Sequence, residues 1–198
     1  MSEQRVIKIF VVHQFTMSDL ERKIVEQLKA FPDCKFIDMS LPQERPIPPD
    51  QIEFVQEIAC GSMRDSDIII ILPDTGKGRE VGEGDTDYIS DLGGTFRSSR
   101  GLHPGSVYTV EIKTLMFDSC DTKPVLLLDW TKDSAEYLAD KLRNPKGIGG
   151  RRYNKHRFYT MGLDEATGSQ DIAERILSIL DSWDLNGQAG AIQAEQEG

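Results

Sequence analysis

The chain has 198 residues, of which 38% are hydrophobic, a formal net charge of -10 and a pI near 4.8. This length and apolar content suit a single domain with a sizeable core. An acidic balance argues against nonspecific binding to nucleic acid, which needs a basic face. No apolar run reaches the roughly 18 residues that a membrane helix needs, so neither nucleic acid nor a membrane is an expected partner.

The N-terminus and the cysteines indicate a cytoplasmic protein. The opening MSEQRVIKIF lacks the charged-then-apolar pattern of a signal peptide. Cys34, Cys60 and Cys120 are odd in number and have no CxxC spacing, which is typical of reduced thiols. The three histidines stand singly along the chain, so no metal site is expected.

Strand-like runs alternate with segments of helical periodicity. The predicted strands are residues 6–12, 35–39, 66–73, 124–129 and 157–161. The predicted helices start near residues 18, 49, 107, 133 and 169, and Ser18 with Glu21 has the spacing of a capping box. This alternation predicts a flavodoxin-like α/β fold, a five-stranded parallel sheet of order 2-1-3-4-5 with helices on both faces.

The chain is predicted to form one domain over residues 1–184. The remaining residues, 185–198, have little apolar content and are predicted to be a disordered tail. Residues 74–106 are a second unusual segment, because they make a far longer connection than strands and helices normally have. This segment is either disordered or functional, and the sequence favours neither reading.

The predicted strand order places a ligand beyond the carboxyl ends of strands one and three. Glu111 lies in the second turn of the predicted helix 107–118 and would face that crevice together with Tyr108 and Leu115. Residues 107, 110, 114 and 117 would face the sheet. A carboxylate in the crevice could orient a ribose or stabilise an oxocarbenium ion, whereas most helical glutamates are simply exposed.

Four stretches carry a resemblance to a known family. They read VIKIFVVHQFTMSDLERKIVEQL, KFIDMS, SMRDSDIIIIL and VYTVEIKTLMFDSCDTKPVLLLD. Together they resemble TIR-like domains over about residues 5–130, and look most like the bacterial group that includes the Thoeris anti-phage sensors. The tryptophan often found just ahead of the family's glutamate is absent, and Tyr108 stands nearby.

The resemblance implies a cytoplasmic enzyme of antiviral defence that hydrolyses NAD or cyclises its ADP-ribose part into a nucleotide signal. NAD is then a substrate, and no cofactor is implied. A protein trigger or self-association would control the activity. The resemblance places Glu111 in the catalytic position. The implied substrate contacts are His13, Gln14, Phe15, Asp38, Ser40 and Tyr108.

Two alternatives stay open. The chain also resembles nucleoside 2-deoxyribosyltransferases, in which an analogous glutamate attacks the anomeric carbon and a Lys-Pro strand entry follows. The glycine-rich approach to that glutamate is replaced here by SVYTVE. The second alternative is a non-catalytic TIR-like adaptor. A basic cluster at residues 151–157 is either a solvated loop or a site for a phosphate or an acidic partner.

Overall fold

The computed structural model describes residues 4–13, 17–41, 49–73, 111–112, 115, 122–143, 157–164 and 169–196. Side chains of the last helix are described as far as residue 184. None of the helices in these ranges combines the length and apolarity that a membrane span requires.

Within these ranges, five strands form one parallel sheet. They are β1 (Arg5–Val12), β2 (Cys34–Asp38), β3 (Ile68–Ile71), β4 (Pro124–Asp129) and β5 (Arg157–Gly162). Their order is β2-β1-β3-β4-β5, which confirms the predicted fold class. Every residue of β3 and β4 is buried, as expected for strands in a sheet that is covered on both faces.

Four helices whose bounds are described flank the sheet. They are α1 (Ser18–Lys29), α2 (Ile52–Asp65, after a 3-10 turn at Pro49–Gln51), α3 (Lys132–Arg143) and α4 (Ser169–Gln196). Glu111, Ile112 and Leu115 are also helical, and they belong to the crossover between β3 and β4.

Two helix ends differ from the sequence prediction. Met17, not Ser18, occupies the N-cap position of α1, so the predicted capping box is wrong: the chain turns into the helix one residue earlier. At the other end of the chain, α4 continues past Asn186 to Gln196. Alanine, glutamine and glutamate dominate that stretch and favour a helix despite its two glycines. The division into a domain of 1–184 and a separate tail of 185–198 stays a prediction.

The alternation of side chains along β1 separates two layers of core. Ile7, Ile9 and Val11 face the layer that contains α1 and α4. Phe10 and Val12 face the opposite layer, which contains α2, α3 and the crossover helix. We call these the α1 face and the α2 face.

Candidate functional site

The connections that follow β1 and β3, which are neighbours in the sheet, lie on opposite faces of it. After β1 it enters α1, whose Ile24 and Leu28 pack on the α1 face. After β3 it passes to the α2 face, where Ile112 and Leu115 are buried. Neighbouring parallel strands whose connections leave on opposite faces open a crevice beyond their carboxyl ends. The candidate site is therefore the edge formed by the ends of β1, β2 and β3.

Glu111 belongs to the crossover helix between β3 and β4 and is completely buried, with 0% of its surface exposed. Leu115 is 1% exposed and lies in the core of the α2 face. The side of the helix that carries Glu111 and Leu115 is therefore packed inward, and neither side chain is exposed to solvent. Because the crossover runs from the carboxyl end of β3 to the amino end of β4, Glu111 lies nearer the carboxyl edge than Leu115 does.

The ends of β1 and β2 meet through a hydrogen-bonded turn. The Met39 amide donates to the Ile9 carbonyl at 2.8 Å, which continues the ladder by one residue. The Val11 amide then donates to the hydroxyl of Ser40 at 2.8 Å. Ser40 in turn donates to Oδ1 of Asp38 from its hydroxyl, and from its amide at 2.9 Å. The Ser40 side chain thus takes the place of a main-chain acceptor in the sheet.

His13 follows β1 directly and is buried, with 3% of its surface exposed. Its Nδ1 has no hydrogen-bond partner among the described residues. Burial lowers the pKa of His13, while a hydrogen bond with the Val11 main chain and the charge on Asp38 act in the opposite direction. The imidazole is therefore neutral near pH 7, and can donate a hydrogen bond from one nitrogen and accept one at the other.

The lowered pKa of His13 predicts a loss of stability in mild acid. The folded protein binds this proton less readily than the unfolded chain does, so the stabilisation is complete above pH 6.5 and disappears as the pH falls through the folded pKa. In urea titrations between pH 7.5 and 5, we expect wild type to lose more stability than His13→Asn. The difference between their free energies of unfolding should change with pH by at most about 1.4 kcal/mol per pH unit. Parallel curves for the two proteins would contradict this assignment.

Two further carboxyl groups have a raised pKa and were not predicted as site residues from the sequence. Glu21, in the first turn of α1, has a raised pKa because of partial burial and the nearby charge of Asp38. Asp129 ends β4 and is 5% exposed. Burial raises its pKa, and hydrogen bonds from the Trp130 amide and the Ser134 side chain oppose the rise. The sequence pattern that could have identified Asp129 is an acidic residue at the end of an apolar strand.

The polar residues of the SD and Lys-Pro stretches have structural roles at the opposite edge. Asp67 accepts a hydrogen bond from the Lys8 amide at 2.7 Å and donates its own amide to the Lys8 carbonyl at 2.8 Å. The Lys123 ammonium donates to the Ser66 carbonyl at 2.7 Å. These contacts join the amino ends of β3 and β4 to each other and to the middle of β1. This part of the resemblance therefore concerns the sheet and not the candidate site.

Several predicted features lie outside the described residues. Among the implied substrate contacts these are Gln14, Phe15 and Tyr108, and the long segment 74–106 lies outside as well. Of the basic cluster at 151–157 only Arg157 is described, and its guanidinium lies 5.6 Å from the centre of the Tyr159 ring. Within the described ranges, no group of three or more histidine, cysteine, aspartate or glutamate side chains is placed to hold a metal ion.

Comparison with known proteins gives a distant structural likeness. No protein-family model matches the chain, and no curated protein matches it. Among solved structures, the CMP N-glycosidase BcmB of Clostridium botulinum is similar at 13% identity with a TM-score of 0.35, over 85% of this chain and 97% of that one. A likeness this distant carries no argument about what this chain binds or catalyses.

Proposed function

We propose that this protein breaks the N-glycosidic bond of a nucleotide or nucleoside, with Glu111 acting at the anomeric carbon. The observation that supports this proposal is the complete burial of Glu111 in the crossover that follows β3. Glutamate is almost never fully buried unless it is paired or serves a functional site. A buried carboxylate near the ligand edge of a doubly wound sheet suits a reaction that develops positive charge.

The proposed reaction breaks the bond between C1′ and the base nitrogen, and the bonding electron pair leaves with the base. Positive charge then spreads over C1′ and the ring oxygen. The Glu111 carboxylate stabilises that charge until water adds to C1′, or it forms an ester bond to C1′ that water or a second base then breaks. The proton lost by the incoming water or base goes to the departing base of a nucleoside, and to solvent when neutral nicotinamide departs. Ile112 and Leu115 flank it with 3% and 1% exposure, and an environment so poor in water strengthens this electrostatic interaction.

His13 is proposed to contact the substrate from the β1 side of the edge. Its Nδ1, which no described residue satisfies, offers a donor or an acceptor to a sugar hydroxyl or to the base. A buried polar atom of this kind costs free energy in the empty protein and recovers it when a ligand completes the hydrogen bond. Substrate binding should therefore weaken when His13 is replaced by leucine.

The TIR-like resemblance makes NAD the first substrate to test. Its nicotinamide is a cationic leaving group and departs neutral, so no proton donor is required. The proposal then extends to a role in antiviral defence, with hydrolysis or cyclisation of the ADP-ribose part and control by a protein trigger or by self-association. The second candidate is deoxyribosyl transfer between bases, in which the ester on Glu111 is an obligatory intermediate.

The test is release of free base by the purified protein, followed by liquid chromatography. The substrates are NAD and matched ribo- and 2′-deoxyribonucleosides with their 5′-monophosphates, each with and without a second free base. Base release supports the proposal, and exchange with the second base identifies transfer. Because sensors of this class can be silent until triggered, the assay is repeated over a range of protein concentrations that promotes self-association. Binding without release from any substrate would favour the adaptor alternative.

A further inference from the structure

The carboxylate of Asp38, at the end of β2, is fixed by hydrogen bonds to one of its two oxygens. Oδ1 of Asp38 accepts two hydrogen bonds from Ser40, one from its amide and one from its hydroxyl. Within the described part of the chain, Oδ2 accepts none. Asp38 is half-buried and its side chain continues the alternation of Cys34 and Phe36 on the α1 face. Among the described residues, one carboxylate oxygen is therefore anchored and the other has no hydrogen-bond donor.

Ser40 fixes that carboxylate to the sheet. Its hydroxyl accepts a hydrogen bond from the Val11 amide at 2.8 Å and uses its single proton for Asp38. The orientation of Asp38 is thus set by the main chain of β1, the strand that also positions His13. Ser40 is a positioning residue in this arrangement, because its donor is already committed within the protein.

The position of Asp38 in the sheet indicates what the available oxygen binds. In those doubly wound folds that bind NAD, an acidic residue at the end of the strand beside β1, on the side away from the chain reversal, accepts a hydrogen bond from a ribose hydroxyl. β2 occupies that place here, since the order is β2-β1-β3 and the reversal lies between β1 and β3. His13 is buried near Asp38 at the same edge, and its Nδ1 has no hydrogen-bond partner within the described ranges.

We infer that Asp38, oriented by Ser40, recognises the 2′-hydroxyl of the substrate sugar and makes the site selective for ribosyl over 2′-deoxyribosyl substrates. This inference rests on the proposed function and narrows its substrate class. A carboxylate that accepts a sugar hydroxyl forms a charge-assisted bond, and the deoxy sugar leaves it unmade. Since Asp38 is half-buried and water can replace the missing hydroxyl, the preference should be about 10- to 100-fold.

The experiment measures binding and turnover of one matched pair, a ribonucleoside 5′-monophosphate and its 2′-deoxy form, together with NAD. Binding is measured by calorimetry on the Glu111→Gln protein, which keeps the substrate intact, with or without Asp38→Asn, Asp38→Ala, Ser40→Ala or Ser40→Thr added. Base release is measured on the same four substitutions made in the wild-type background. Asp33→Asn is the matched control, because Asp33 is an exposed aspartate just before the opposite end of β2.

We expect ribosyl binding to exceed deoxyribosyl binding by about 10- to 100-fold, and the preference to fall to about threefold or less with Asp38→Ala. Ser40→Ala should lose most of the preference, Ser40→Thr should keep it, and Asp33→Asn should not change it. An unchanged preference in folded Asp38→Asn and Asp38→Ala, or tighter deoxyribosyl binding, would overturn the inference. Failure of the proposed function looks different: the preference in binding persists while no base is released from any substrate.

Discussion

Glu111→Gln is expected to abolish base release while substrate still binds. Glutamine keeps the size of the side chain but carries no negative charge, so it cannot stabilise the cationic transition state or form an ester with C1′. The rate of base release should fall by about 10³-fold or more, with the dissociation constant changed by less than about threefold. Stopped assays of base release and calorimetric titrations measure the two quantities separately.

The matched control for this prediction is Glu136→Gln on α3, which removes the charge of an exposed glutamate. Its activity should equal that of wild type. Loss of binding and release together in a folded Glu111→Gln protein would indicate that Glu111 holds the site together and does not take part in the reaction. Near-UV circular dichroism of both variants establishes that they are folded.

Gly162→Ala is expected to destabilise the protein more than any other single methyl addition among the glycines whose surroundings are described. A Cβ at Gly162 would lie 2.5 Å from the Lys132 amide nitrogen and 2.9 Å from the Thr131 carbonyl carbon, and still closer to the Asp164 carboxylate. The first two neighbours are main chain at the start of α3 and cannot move alone. The free energy of unfolding should fall by about 2–3 kcal/mol, measured by urea denaturation.

Gly61→Ala is the matched control for the methyl addition. Gly61 lies within α2, and a Cβ there would meet nothing within 4 Å. Alanine favours a helix over glycine by up to about 1 kcal/mol, so this variant should be more stable than wild type. Equal effects of the two substitutions would contradict the close packing of β5 against the start of α3.

The sheet could be predicted from the sequence because its central strands are short runs of apolar residues. The run of β4 contains only apolar residues between Pro124 and Asp129, and its predicted and observed bounds agree. The ends of the helices were harder to predict than the strands, because they depend on the path by which the chain enters each helix. Ser18 looked like an N-cap by its spacing from Glu21, yet Met17 holds that position.

The candidate site could be located only in part. The predicted order of the strands indicated which loops border a ligand, and His13 and Glu111 were predicted as site residues on that basis. The role of Ser40 could not be predicted, because its bond to the Val11 amide joins residues 29 positions apart and depends on the register of β1 and β2. The inward orientation of Leu115 could not be predicted either, because a short amphipathic segment contains several apolar stripes of similar quality.

The most direct test of the account is a crystal structure of Glu111→Gln bound to the substrate that the base-release assay identifies. We predict that the sugar lies beyond the ends of β1 and β3, with its anomeric carbon about 3–3.5 Å from the substituted side chain at position 111. Oδ2 of Asp38 should accept a hydrogen bond from the sugar. A ligand bound elsewhere, or one whose base and not its sugar faces position 111, would contradict the proposed role of Glu111.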